Sequence, residues 1–96
     1  MKSSEALQAN RAAVRAIAAA HRASNPRVFG SAARGEDTEE SDLDLLVDPG
    51  PTRSLFDIGA MRYKLRDLLG VPVDVITPNG LPDKFRDAVL ASASSL

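Results

Sequence analysis

The sequence predicts a single α/β domain, residues 1–96, in which a small sheet is covered by helices. A chain of 96 residues suits one domain with one thin core, since a chain of this length buries only about 60–65% of its unfolded surface. Segments with the spacing of amphipathic helices alternate with short apolar segments bounded by turn residues. No repeat or low-complexity linker interrupts the alternation, which is typical of helices packed on a sheet.

Three segments have the spacing of amphipathic helices. The first, residues 4–23, opens near a serine cap and is expected to end at Asn25-Pro26. The second runs over residues 54–70, where Ser54 and Asp57 resemble a capping box and Gly70 stops the helix. A last helix is expected from Pro82. Their apolar positions are Leu7, Val14, Ile17, Ala18, Leu55, Ile58, Met61, Leu65, Leu68, Leu69, Phe85, Val89 and Leu90.

Three short segments between these helices have the character of strands. Residues 27–29 run into Gly30, residues 42–47 end at the turn sequence DPGP, and residues 71–77 end at the turn sequence PNG. We therefore expect a sheet of about three or more strands, with one long helix between its second and third strands.

Composition indicates a cytoplasmic protein that makes no membrane contact. There is no cysteine, which fits a reducing compartment. The first ten residues lack the apolar core of a signal peptide, and no apolar run approaches the roughly 20 residues of a membrane span. Arginines of the first helix, Arg11, Arg15 and Arg22, are read as its solvated face, so we expect no direct contact with nucleic acid.

Charge is distributed unevenly, although the formal net charge is only −1. Residues 1–35 hold six Lys or Arg and one acid, whereas residues 36–51 hold seven acids and no base. On composition alone such a block is a solvated loop. The end of this acidic block has the pattern of a strand. Asp42 and Asp44 would point to the same face of that strand, about 6.6 Å apart along the chain.

A third carboxylate, Asp74, interrupts the apolar strand predicted at 71–77. Crowded carboxylates repel and raise one another's pKa unless a cation lies among them. Oxygen ligands without His or Cys favour Mg²⁺, which binds a few carboxylates and leaves positions for water and phosphate. The sequence therefore predicts a magnesium site at Asp42, Asp44 and Asp74.

Gly30 and Ser31 would supply the phosphate-binding part of such a site. A strand that ends in Gly-Ser and opens a short helix presents backbone N–H groups, and glycine lets a phosphate approach the main chain. The Ser31 hydroxyl adds a donor. A strand, a phosphate-binding turn, an acidic loop and metal ligands on the neighbouring strand together form the layout of a nucleoside triphosphate site.

The order of these residues resembles a known family. Gly30-Ser31, ten further residues, Asp42-x-Asp44 and a later strand aspartate, Asp74, are similar to the nucleotidyltransferase superfamily typified by DNA polymerase beta. The fuller string GSAARGE…SDLDLLV resembles its minimal nucleotidyltransferase branch, whose members are often antitoxins of HEPN-domain toxins. The resemblance spans residues 27–77 and implies a polymerase beta-like fold with a small mixed sheet.

The resemblance also implies a role for each site residue. Asp42 and Asp44 would hold two Mg²⁺ ions, while Asp74 would complete the second metal site and take the proton of the incoming hydroxyl. Gly30 and Ser31 would hold the β- and γ-phosphates of ATP. Arg34 has two open interpretations, a phosphate contact or an ion pair with Glu36.

The implied function is that of an antitoxin. The chain would act as a Mg²⁺-dependent protein adenylyltransferase, forming a hetero-oligomer with a HEPN ribonuclease toxin and moving AMP from ATP to a toxin tyrosine. Two alternatives stay open: neutralisation by binding alone, and transfer to a small-molecule or RNA acceptor. Three other candidate residues are expected to have structural roles only. His21 is expected on the surface at a helix C-terminus, and Tyr63 and Phe85 are expected to pack in the core.

Overall fold

A computed structural model describes residues 2–38, 41–49 and 55–96 of the chain. The predicted capping pair of Ser54 and the Asp57 side chain, part of the acidic block and the end of the DPGP turn lie outside what it describes. The elements in order are α1 (Ser3–Ala9), α2 (Arg11–Ala20), β1 (Ala23–Phe29), α3 (Ser31–Arg34), β2 (Leu43–Pro49), α4 (Leu55–Leu69), β3 (Val73–Ile76), a 3₁₀ turn (Pro78–Gly80), α5 (Asp83–Ser92) and β4 (Ser94–Ser95).

Within the described residues, four strands form one mixed sheet in the order β3-β2-β1-β4. β1 pairs antiparallel with both β2 and β4, whereas β2 and β3 are parallel. Parallel neighbours need a crossover connection, and α4 supplies it. The predicted α/β class, a small mixed sheet flanked by helices, is confirmed.

Alternation along β2 separates the core from the site. Leu43, Leu45 and Val47 are buried in one cluster with residues of α2 and α4, among them Val14 and Met61. The intervening residues of β2 point to the other face of the sheet. That second face carries the carboxylates.

The first predicted helix is wrong in its continuity and its end. Asn10 breaks it into α1 and α2, because Asn10 leaves helical geometry (φ −130°) and its side-chain amide donates to the Ala6 carbonyl at 2.9 Å. α2 ends at Ala20, and Asn25 and Pro26 belong to β1. The pairing of β1 with β2 shifts register between Ser24 and Arg27, which is how a strand accommodates a proline that cannot donate to the ladder.

The fourth strand has no signal in the sequence, since Ser94–Ser95 is two residues long and polar. It pairs with Arg27 and Val28 of β1. Arg11 of α2 donates to the Ser95 carbonyl at 3.1 Å and so helps to hold this edge.

Three side chains lie elsewhere than the sequence suggests. Tyr63 is 77% exposed and Phe85 is 52% exposed, so neither is a packing residue. The buried stripe of α4 is narrow, with Met61, Leu65 and Leu69 at spacing of four, and Tyr63 lies off it. His21 is partly buried rather than a surface residue, and its Nε2 is enclosed with no hydrogen-bond partner.

The N-terminus of α1 is fixed by an acid from the loop before β2. Asp37 is only 6% exposed and accepts hydrogen bonds from the backbone N–H and hydroxyl of Ser4, at 2.9 and 3.0 Å. The Ser3 hydroxyl donates to the Ser41 carbonyl at 2.5 Å. The expected serine cap is therefore replaced by a carboxylate from a distant segment, which satisfies a free N–H of the first turn. One acid of the acidic block thus has a structural role.

Asp37→Ala is expected to lower the melting temperature at neutral pH. Hydrogen bonds from Ser4, the backbone one first, hold the pKa of Asp37 below its usual 3.8. A lowered pKa stabilises the fold above the unfolded value, and that stabilisation is lost as pH falls through the folded value. The difference in melting temperature between the variant and wild type should therefore become smaller below about pH 3.8. Thermal unfolding followed by circular dichroism across pH 2–7 measures it, with exposed Glu36→Ala as the control; an unchanged difference would contradict the assignment.

No helix within residues 2–38, 41–49 and 55–96 has the length and apolar character needed to cross a membrane.

Candidate functional site

Two of the predicted site acids are neighbours across the parallel pair of strands. Asp44 of β2 and Asp74 of β3 are register partners, so their side chains lie on the same face of strands about 4.8 Å apart. Both are partly buried, Asp74 with half its side chain exposed. The face is the one opposite the main core, where a ligand can reach both carboxylates.

The electrostatics of Asp44 reflect this crowding. Burial raises the pKa of Asp44 above its usual 3.8, and the negative charges of Asp74 and Asp42 raise it further. Desolvation and like charges both disfavour the ionised carboxylate. A cation placed among these groups would relieve the repulsion.

Gly30 closes the site from the side of β1. The residue before it, Phe29, is the register partner of Asp44. Gly30 has φ +75° and ψ −151°, a region that only glycine adopts readily. A Cβ at this position would lie 2.5 Å from Oδ2 of Asp44. The backbone of the turn therefore approaches the carboxylate as closely as it does because no side chain intervenes.

Ser31 begins α3 directly after this turn and is partly buried. α3 is a single turn of four residues, and the first backbone N–H groups of a helix have no intrahelical acceptor. Ser31 and these N–H groups lie at the end of β1, next to the strand that carries Asp44.

Asp42 lies just before β2 and is exposed. The expectation that the strand spans 42–47 is wrong at its start, because β2 begins at Leu43, whose N–H donates to the Pro72 carbonyl at 2.8 Å. Asp42 is nevertheless near enough for its charge to raise the pKa of Asp44. Asp42 is thus the most solvated of the three acids.

Two arginines near these elements differ in their partners. Arg34 forms an ion pair with Glu36, Nε to Oε2 at 3.3 Å, with both side chains more than half exposed. This is one of the two interpretations left open for Arg34. Arg62 of α4 lies beside the acids instead, with Nη1 3.9 Å from Oδ1 of Asp74. Sequence reasoning missed Arg62, since nothing in its spacing marks one exposed helical arginine among several.

The donor set fits a magnesium ion that is completed by substrate. Within the described ranges, no group of three or more His, Cys, Asp or Glu side chains is close enough to enclose a metal ion. Mg²⁺ commonly uses one or two carboxylates together with phosphate oxygens and water. Asp44 and Asp74 in register, with the backbone of the glycine turn directly against Asp44, are consistent with that chemistry.

Sequence comparison relates most of the chain to proteins that transfer nucleotides. Residues 24–94 match the nucleotidyltransferase domain family. A protein of Methanocaldococcus jannaschii, MJ0435, provisionally named a protein adenylyltransferase, is 40% identical over 73 residues, 76% of this chain and 78% of the relative. The protein adenylyltransferase MntA of Thermococcus cleftensis is 40% identical over 63 residues, 66% of this chain; the match spans 64% of the relative's own length.

Solved structures share the fold. One described provisionally as a minimal nucleotidyltransferase superposes with a TM-score of 0.84 at 44% identity, covering 97% of this chain and 93% of the other. A toxin-antitoxin crystallised with AMP-PNP superposes with a TM-score of 0.76 at 18% identity, covering 90% of this chain and 71% of the other. At that identity the second likeness concerns the fold alone.

Proposed function

This chain belongs to the nucleotidyltransferase domain family and is a nucleotidyltransferase; from that premise we propose that it is an antitoxin that transfers AMP from ATP to a tyrosine hydroxyl of a HEPN ribonuclease toxin. Pyrophosphate is the leaving group. The two proteins form a hetero-oligomer.

One arrangement carries the proposal: Asp44 and Asp74 in register on parallel strands, with the Gly30 backbone against Asp44. The strand pairing gives the acids a fixed separation, and the glycine turn brings main-chain N–H groups close to Asp44. In the proposed binding mode, a triphosphate held at Gly30 and Ser31 would direct its α-phosphate toward the acids.

The chain's own residues divide the chemistry between them. Gly30 and Ser31 bind the β- and γ-phosphates through N–H and hydroxyl donors. Asp74 takes the proton of the attacking hydroxyl, and the hydroxyl oxygen bonds to the α-phosphorus as the bond to pyrophosphate breaks. Asp42, Asp44 and Asp74 would hold Mg²⁺, which when bound neutralises phosphate charge.

Two arguments support a protein tyrosine as the acceptor: the names of the relatives and the acidity of the phenol hydroxyl. A relative 40% identical is named protein adenylyltransferase MntA, and MntA is also the named component of the toxin-antitoxin MntA-HpeT, whose structure shares this fold. A phenol, with pKa near 10, loses its proton more readily than serine or threonine. Added AMP would place negative charge beside the toxin's RNA-binding surface and repel the phosphate backbone of RNA.

Binding without transfer is the second candidate function, because the exposed side chains Tyr63, Leu68, Phe85 and Leu90 offer apolar surface to a partner. A small-molecule or RNA acceptor is the third. These alternatives differ from protein adenylylation in what happens to the toxin's mass.

Incubation of the toxin with this protein, ATP and Mg²⁺ is expected to increase the toxin's intact mass by whole AMP units. Mass spectrometry and a ribonuclease assay are run on the same sample, and toxin purified away from the antitoxin should stay inactive. Wild type without ATP and Asp42→Asn with ATP are the controls. If both controls silence the toxin as well as the complete reaction does, without a mass gain, binding alone accounts for neutralisation.

A further inference from the structure

Arg62 is the positive group that the structure places against the third acid. It is an exposed residue of α4. Its Nη1 lies 3.9 Å from Oδ1 of Asp74, on β3, which is an edge strand of the sheet. Asp44 is the register partner of Asp74 on the next strand. The guanidinium thus lies at one end of the row of carboxylates, and the Gly30 turn lies at the other end.

We propose that Arg62 is the counter-ion of Asp74 in the metal-free protein and competes with the divalent cation for that carboxylate. This inference rests on the proposed function, because it takes Asp74 as part of the metal centre. Arg62 would raise the concentration of divalent cation needed to fill the site. It would act through its ion pair with Asp74 and would not itself contact the substrate.

The exposure of the pair makes this competition physically reasonable. The side chains of Arg62 and Asp74 are 49% and 50% exposed, and an ion pair of this kind is weak because water screens both charges. A weak pair reduces the repulsion among the acids while the metal is absent, yet a divalent cation can displace it. A buried pair at the same place would instead resist metal binding.

Arg66 offers a matched control on the same helix. It lies one turn beyond Arg62 and is exposed, and its replacement changes the net charge by the same amount. An effect of general charge would appear in both variants. An effect of direct competition at Asp74 would appear in Arg62→Gln alone.

Binding of Mn²⁺ to the nucleotide-free protein tests the proposal without depending on transfer activity. Arg62→Gln should bind Mn²⁺ about two- to five-fold more tightly than wild type, the range expected for an exposed ion pair. Arg66→Gln should bind within about 1.5-fold of wild type on the same reasoning, and Arg62→Lys, which keeps the charge, should be closer to wild type than Arg62→Gln is. Titration followed by electron paramagnetic resonance counts the free Mn²⁺, and circular dichroism verifies that each variant is folded.

The outcomes separate this inference from the function beneath it. Unchanged or weaker Mn²⁺ binding by folded Arg62→Gln, or an equal gain in Arg66→Gln, would overturn the counter-ion role and leave the proposed transfer intact. Nucleotide-free wild type that binds no Mn²⁺ would overturn this inference alone, because no cation would then compete for Asp74 before the phosphates of ATP complete the site. Wild type that transfers no AMP would contradict the proposed function. A gain confined to Arg62→Gln, accompanied by a lower Mg²⁺ concentration for half-maximal transfer, supports the role.

Discussion

Asp44→Asn is expected to reduce AMP transfer by about 10²–10³-fold, the loss typical of removing one electrostatic group from an active site. The side chain keeps its size but loses the charge that would hold the metal beside the Gly30 turn. Initial rates at saturating ATP and Mg²⁺ measure the loss. Asp87→Asn, an exposed acid on α5, is the control with the same charge change, and its rate should equal that of wild type.

The same substitution should raise the melting temperature of the metal-free protein at neutral pH. Because burial and neighbouring acids raise the folded pKa of Asp44 above 3.8, its ionisation destabilises the fold as pH rises above the unfolded value. Asn removes that cost, so the difference should vanish below about pH 3.8. A lower melting temperature for Asp44→Asn at neutral pH would argue against repulsion among these carboxylates, whatever its effect on transfer.

Gly30→Ala is expected to abolish transfer and destabilise the fold by about 1–3 kcal/mol, the cost of placing a non-glycine residue in this backbone region. Two effects combine: φ is +75°, and the new Cβ would come within 2.5 Å of Oδ2 of Asp44. The carboxylate or the turn must then move. Rates and thermal unfolding are measured on the same preparation.

Gly70→Ala separates those two effects. Gly70 also has a positive φ, +69°, but a Cβ there meets nothing within 4 Å. It should lose stability through backbone strain and keep its transfer rate. If Gly30→Ala lost only as much activity as Gly70→Ala, the close approach of Gly30 to Asp44 would have no part in the reaction.

Sequence reasoning located the elements whose periodicity is strong. Alternating apolar residues marked β2, helical spacing marked α4, and the motif from Gly30 to Asp44 predicted a turn next to an acid on the neighbouring strand, where the structure places them. The extent of β1 was missed because Pro26 is a helix-ending signal locally, and only the register shift of the paired strands shows that a strand accommodates it. β4 has no pattern of its own and exists only as a partner of β1.

Two contacts between distant segments could not be predicted from the sequence. Asp37 was one acid among seven in residues 36–51, and its role depends on where α1 begins in space. Arg62 was one exposed helical residue, and its approach to Asp74 depends on how α4 crosses beside β3. The contacts of Asp37 and Arg62 depend on how distant elements pack, so the spacing of residues in the sequence does not predict them.

Transfer of label from ATP tests the central claim most directly. Toxin and antitoxin are incubated with Mg²⁺ and ATP labelled with ³²P at either the α- or the γ-phosphate, and the toxin is then separated and counted. Label from the α-position should enter the toxin, label from the γ-position should leave as pyrophosphate, and Asp44→Asn should incorporate α-label about 10²–10³-fold more slowly. A silenced toxin without α-label, or one labelled from the γ-position, would contradict adenylyl transfer.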